Sequence, residues 1–87
     1  MDNILKKILY RANHRGTKEM DLILGGFAGK FLAYLTKEEV NQFEKILTFT
    51  DKELSVWLID NSENFEIQKI GISKRLKDFC DNYYKLK

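Results

Sequence analysis

Ile4, Leu5, Ile8, Leu9 and Ala12 recur at three- and four-residue intervals, and Met20, Ile23, Leu24, Phe27, Ala28, Phe31 and Leu35 repeat that spacing over a longer stretch. A period near 3.6 residues is the signature of an amphipathic helix, so two helices are predicted, one after the other. Gly16 stands between them, where it is expected in the left-handed conformation that ends the first helix, with Thr17 capping the second. The expected result is a tight helical hairpin or corner. Thr36-Lys37-Glu38-Glu39 reads as a capping box ahead of Val40, Phe43 and Leu47. The threonine oxygen can take a backbone donor, and the glutamate can reach back. Thr50-Asp51-Lys52-Glu53 repeats the device ahead of Leu54, Trp57 and Leu58, predicting a short helix that ends near Asp60-Asn61. After the polar stretch Asn61-Ser62-Glu63-Asn64, a fifth helical pattern runs through Ile67, Ile70, Ile72, Leu76, Phe79, Cys80 and Tyr83, with Gly71 and Ser73 as its weak points. Alternating strand patterns are missing. The prediction is an all-α bundle of about five short helices in one compact domain over residues 1–87.

Composition narrows the function. With 87 residues, 44% hydrophobic and 32% charged, the chain has a globular composition. That length supports a small core and leaves little room for an enclosed substrate pocket, which disfavours a stand-alone enzyme. No apolar run approaches the ~20 residues that span a bilayer, so membrane insertion is not expected. The opening MDNILKKILY does not read as a secretory signal. A single cysteine, Cys80, cannot close an internal disulfide, and the cytoplasm is the expected location. The net charge of +2 divides into +4 over residues 1–18, −5 over 19–73 and +3 over 74–87. Basic ends around an acidic middle are ordinary solvated helix faces, or a means of steering toward an acidic partner surface.

Several apparent sites dissolve on inspection. Gly25-Gly26-Phe27-Ala28-Gly29-Lys30 is one residue short of a phosphate loop, has Phe31 where Ser or Thr is needed, and follows no strand, so its glycines are read as helix-packing positions. His14 is the only histidine and has no companions for a zinc site; a polar contact residue is the better reading. Cys80 and Trp57 fall on apolar faces and are assigned to the core, while Tyr83 and Tyr84 cover its edge or meet a partner. No nucleic-acid signature is found. No catalytic residue and no metal ligand set is assigned.

What stands out is Arg15-Gly16-Thr17-Lys18-Glu19-Met20-Asp21, with opposed charges packed at the junction of the first two helices. Part of this is helix electrostatics, since acids suit the start of the second helix and a cation the end of the first. Yet Arg15, Glu19, His14 and Arg11 are also expected to share an exposed corner able to make directional, charge-assisted contacts.

The run Tyr10 to Asp21, with its Arg15-Gly16-x-x-Glu19, resembles the signature of the SdhE family, also called succinate dehydrogenase assembly factor 2. Leu24-Gly25-Gly26-Phe27-Ala28 and Asp51-Lys52-Glu53-Leu54-Ser55-Val56-Trp57-Leu58 are similar to its later segments, and the resemblance covers roughly residues 4–80. Glu53 stands where the family commonly has aspartate, and the 60–66 loop lacks a proline often found there. The resemblance implies a five-helix assembly factor that binds the flavoprotein subunit of succinate dehydrogenase, in some members that of fumarate reductase, and promotes covalent attachment of FAD to a histidine of that subunit. The FAD would belong to the partner, with no cofactor held stably by this chain, and a monomer is expected. By resemblance Arg15, Gly16 and Glu19 would dock, helped by Arg11 and His14, with Asp21 either joining them or fixing the corner. A small interaction module of antitoxin-like or regulatory type is the alternative, and an RNA-binding helical domain a weaker third.

Overall fold

Most helices begin where the chain supplies an oxygen for orphan backbone donors. In the computed structural model, which describes residues 2–85, Asp2 caps α1 (Asn3–Asn13) by accepting from the Leu5 amide at 2.9 Å. Thr17 caps α2 (Lys18–Phe31), and both predicted capping boxes are complete at the starts of α3 (Lys37–Ile46) and α4 (Asp51–Leu58). Asn64 caps a one-turn α5 (Phe65–Gln68), which precedes α6 (Ser73–Lys85). Each such cap stabilises its helix by about 1 kcal/mol. No strand occurs among the described residues, and the chain is all-α as its periodicity requires.

Two boundaries differ from the sequence expectation. The fifth helical pattern is two helices, because the chain turns at Ile70-Gly71-Ile72 to bury both isoleucines. Ser73 closes the turn, its amide donating to the Ile70 carbonyl at 3.0 Å and its hydroxyl to the Gln68 carbonyl at 3.2 Å. Helix α2 likewise stops at Phe31, short of Leu35. A 3-10 turn over Leu32–Tyr34 buries Leu32, and Leu35 then runs extended into the Thr36 cap.

Helix α2 crosses the middle of the molecule and packs on α1, α4 and α6. Its Met20, Ile23, Leu24, Phe27 and Ala28 are buried in one cluster with Ile8 and Ala12 of α1, Phe43 and Ile46 of α3, Leu54, Trp57 and Leu58 of α4, and Leu76 and Cys80 of α6. The Phe27 ring lies 5.5 Å from that of Phe43 and meets Phe79 edge-on at 5.8 Å, geometries that aromatic pairs favour. Trp57 and Cys80 are core residues, as read from the sequence, and burial pushes the Cys80 thiol up to about 11, far from a nucleophile's range. Ile4 leaves the predicted apolar stripe and is 65% exposed. Of the three helical glycines, two serve close packing. A side chain at Gly25 would strike Asn13 and one at Gly26 the Phe79 ring, whereas Gly29 faces open space.

The capping boxes make acid stability predictable. Glu39 and Glu53 are held below their ordinary value of 4.5, chiefly by the backbone amides of Thr36 and Thr50, which donate to their carboxylates. Unfolding returns both groups to their ordinary value. The unfolded chain therefore binds protons that the folded chain does not, and this contribution, present above that value, is lost as pH falls through the folded values. Thermal melting followed from roughly pH 5 to 3 should show this loss. Glu39→Gln and Glu53→Gln should each flatten it, and an unchanged slope in both would remove the boxes from the account.

Candidate functional site

The connection between α1 and α2 does not hang free at the end of the molecule. It lies against the turn between α3 and α4, and Arg15 joins the two. Its Nε donates to Asp51 Oδ1, one Nη to the Leu47 carbonyl and the other to the Phe49 carbonyl, all at 2.7 Å. Leu47 is the C-cap of α3, at the end where carbonyls lack partners within the helix, and a guanidinium satisfies them while complementing the helix dipole. The second Asp51 oxygen accepts from the Gly16 amide at 2.6 Å. The Arg15 amide in turn donates to Asp21 Oδ1, which ties the connection to the first turn of α2.

This arrangement differs from the exposed placement expected of the Arg15 side chain. Its side chain is only 12% exposed, and its guanidinium points inward at a carboxylate and two carbonyls. Of the two roles open to Asp21, the bond to the Arg15 amide is the one that fixes the corner. Gly16 also differs from expectation. No glycine among the described residues has positive φ; the cap of α1 is His14, at φ −128° and ψ 58°. What demands glycine at position 16 is space, since a Cβ there would lie 2.6 Å from Asp51 Oδ2.

Gly16, Thr17, Lys18 and Glu19 are exposed, held outward by the bonds beneath them. Glu19 has neither an ion pair nor a side-chain hydrogen bond among the described residues. Arg11 and His14 lie on the adjoining exposed face of α1. Arg11 reaches Glu44 at 3.4 Å with both side chains 43% exposed, a pairing worth under about 1 kcal/mol and easily exchanged for another. The His14 ring stacks on Tyr10, centroids 3.8 Å apart at 15°, with Nδ1 2.7 Å from the Tyr10 carbonyl oxygen. Of the six predicted residues, Arg15 and Asp21 are bonded to each other and half-buried, while Gly16, Glu19, Arg11 and His14 are exposed on the connection and the helices it joins.

Two members escaped the sequence reading. Tyr10, 63% exposed, enters the sequence expectation only through the family signature, although its four-residue spacing from His14 puts both on one helix face. Asp51 stands in a capping box and in the segment similar to the family's, and nothing local signals that it serves a loop 35 residues away.

Chemically, the corner can present charge and shape. Among the described residues no group of three His, Cys, Asp or Glu side chains is placed to hold a metal ion, and no helix is long and apolar enough to cross a membrane.

Residues 6–80 match the model of a family described as flavinator of succinate dehydrogenase. The chain is 30% identical over 86 residues to succinate dehydrogenase assembly factor 2, mitochondrial, of Candida glabrata, an alignment covering 94% of this chain and 56% of that protein. It is 43% identical over 53 residues to the FAD assembly factor SdhE of Acetobacter pasteurianus, covering 61% of this chain and 49% of that protein. A third relative, succinate dehydrogenase assembly factor 2, mitochondrial, of Dictyostelium discoideum, is 28% identical over 82 residues, covering 94% of this chain and 58% of that protein. The chain spans about half the length of these curated relatives. The matched stretch contains every residue of the corner from Tyr10 to Asp51, and the chain belongs to the succinate dehydrogenase flavinator family, a family of assembly factors.

Proposed function

We propose that this protein docks on the flavoprotein subunit of succinate dehydrogenase and promotes covalent attachment of FAD to it, with the exposed face of the corner as the docking surface. The observation that carries this reading is Glu19, an exposed carboxylate in the first turn of α2, presented by a connection that Arg15, Asp21 and Asp51 hold in place. Groups prearranged in this way lose little freedom on binding, so more of their interaction energy appears as affinity. Arg11 and His14 extend the surface along α1, and the fumarate reductase flavoprotein is a second client of the same face.

The contribution is positional. Holding the flavoprotein's domains so that its histidine meets the flavin methyl group replaces a rare encounter by a standing one, and effective concentration alone can supply a large part of a barrier. The FAD belongs to the flavoprotein, and this chain, acting as a monomer in the cytoplasm, retains none of it. Co-expression with a succinate dehydrogenase flavoprotein, followed by denaturing electrophoresis and in-gel flavin fluorescence, tests the reading. A several-fold gain in covalent flavin is expected, and equal fluorescence with and without the chain overturns it.

A further inference from the structure

Asp51 is the first residue of α4, where any acid is favoured by the helix dipole. That accounts for a carboxylate at this position but not for where its oxygens go. One takes Arg15 Nε and the other the Gly16 amide, 36 and 35 residues back along the chain. The Arg15–Asp51 pair is also the least exposed of the ion pairs among the described residues, with side chains 12% and 22% exposed. A surface acid that served only its own helix would keep its side chain in water.

We infer that Asp51 is a positioning residue for docking, an inference that rests on the function proposed above. It touches no partner. By gripping Gly16 and Arg15 together it sets the path of the connection into α2 and hence the direction in which Glu19 is presented. Both oxygens are needed, and the reach is fixed by a side chain with a single methylene. Glutamate would keep the charge at the start of α4 while placing its carboxylate too far out for the same pair of donors.

The test compares Asp51→Asn, Asp51→Glu and Glu19→Gln, singly and with Glu19→Gln combined with each Asp51 variant, in the full chain. Affinity for purified succinate dehydrogenase flavoprotein is measured by calorimetry, and helicity is checked by circular dichroism. Both Asp51 variants should bind at least tenfold more weakly while remaining helical, and Glu19→Gln should cost less than twofold further in either background. A role confined to α4 would be rescued by Asp51→Glu, and fully additive losses would mean that Asp51 does not act through Glu19; either result overturns the assignment. Should Asp51→Asn lose its fold, Asp51→Glu alone decides by the same criteria. Failure of the unaltered chain to bind the flavoprotein overturns the docking function itself, and with it this role. Normal binding by Asp51→Glu overturns the role of Asp51 and leaves the function standing.

Discussion

Arg15→Ala should lower the melting temperature more than truncation of any exposed residue in the motif. It removes the donors to Leu47 and Phe49 and leaves the Asp51 carboxylate with only the Gly16 amide. Breaking a fully buried ion pair costs ~3–5 kcal/mol; allowing for the partial exposure of this one, a loss of about 2–4 kcal/mol is expected. For a domain of this size that is a fall on the order of 10–30 °C, a large part of the whole stability. Arg15→Lys should recover less than half of the loss, because an ammonium keeps the charge but cannot fork toward three acceptors. Thermal unfolding followed by circular dichroism decides the matter. A melting temperature for Arg15→Ala within about 3 °C of the parent, well under the ~4–8 °C that each kcal/mol represents, would mean that the clamp contributes nothing in solution.

Gly16→Arg should have the largest effect on docking. Any Cβ at position 16 meets Asp51 Oδ2 at 2.6 Å, and that carboxylate cannot swing aside without releasing Arg15 and the Gly16 amide together. Gly16→Ala therefore already disturbs the clamp, and arginine adds a long charged side chain on the exposed face. We expect flavoprotein affinity to fall roughly tenfold for alanine, about 1.4 kcal/mol, and on the order of a hundredfold for arginine. The mechanism differs from strain at a left-handed residue, where alanine would be nearly as costly as arginine. Binding isotherms for the two variants, with melting curves beside them, separate these cases. Gly16→Ala with parental affinity and stability would show that the crowding is relieved without consequence.

What could be read from the chain depended on how far apart the interacting residues lie. Both capping boxes were legible because the Thr36–Glu39 and Thr50–Glu53 exchanges occur within one helical turn. The apolar face of α2 was legible for the same reason, since periodicity is a local property. The break at Gly71 showed only as a weak point, because the turn is settled by tertiary burial of Ile70 and Ile72. The inward course of the Arg15 side chain was the least legible feature. A charged residue beside a glycine is expected to face water, and neither the waiting carbonyls of Leu47 and Phe49 nor the carboxylate of Asp51 can be foreseen from sequence 32 to 36 residues away. Gly16 was singled out for the wrong cause. A missing Cβ serves backbone freedom and close approach equally well in a sequence, and only the position of Asp51 distinguishes the two. The family motif thus contains two kinds of residue that look alike on paper, some building the corner and some standing on it.

That division gives the central claim its sharpest test. Purified flavoprotein lacking covalent flavin is mixed with FAD and a stoichiometric amount of this chain, and the rise of covalently bound flavin is followed in time, in parallel with Glu19→Lys, a surface variant that should leave the fold untouched. The unaltered chain is predicted to raise the rate at least tenfold, and Glu19→Lys to fall back toward the rate without any chain while staying folded, its melting temperature lower only by the ~4–8 °C that about 1 kcal/mol of lost helix-dipole stabilisation in the first turn of α2 represents. Equal rates with the chain, with Glu19→Lys and with neither would contradict the account.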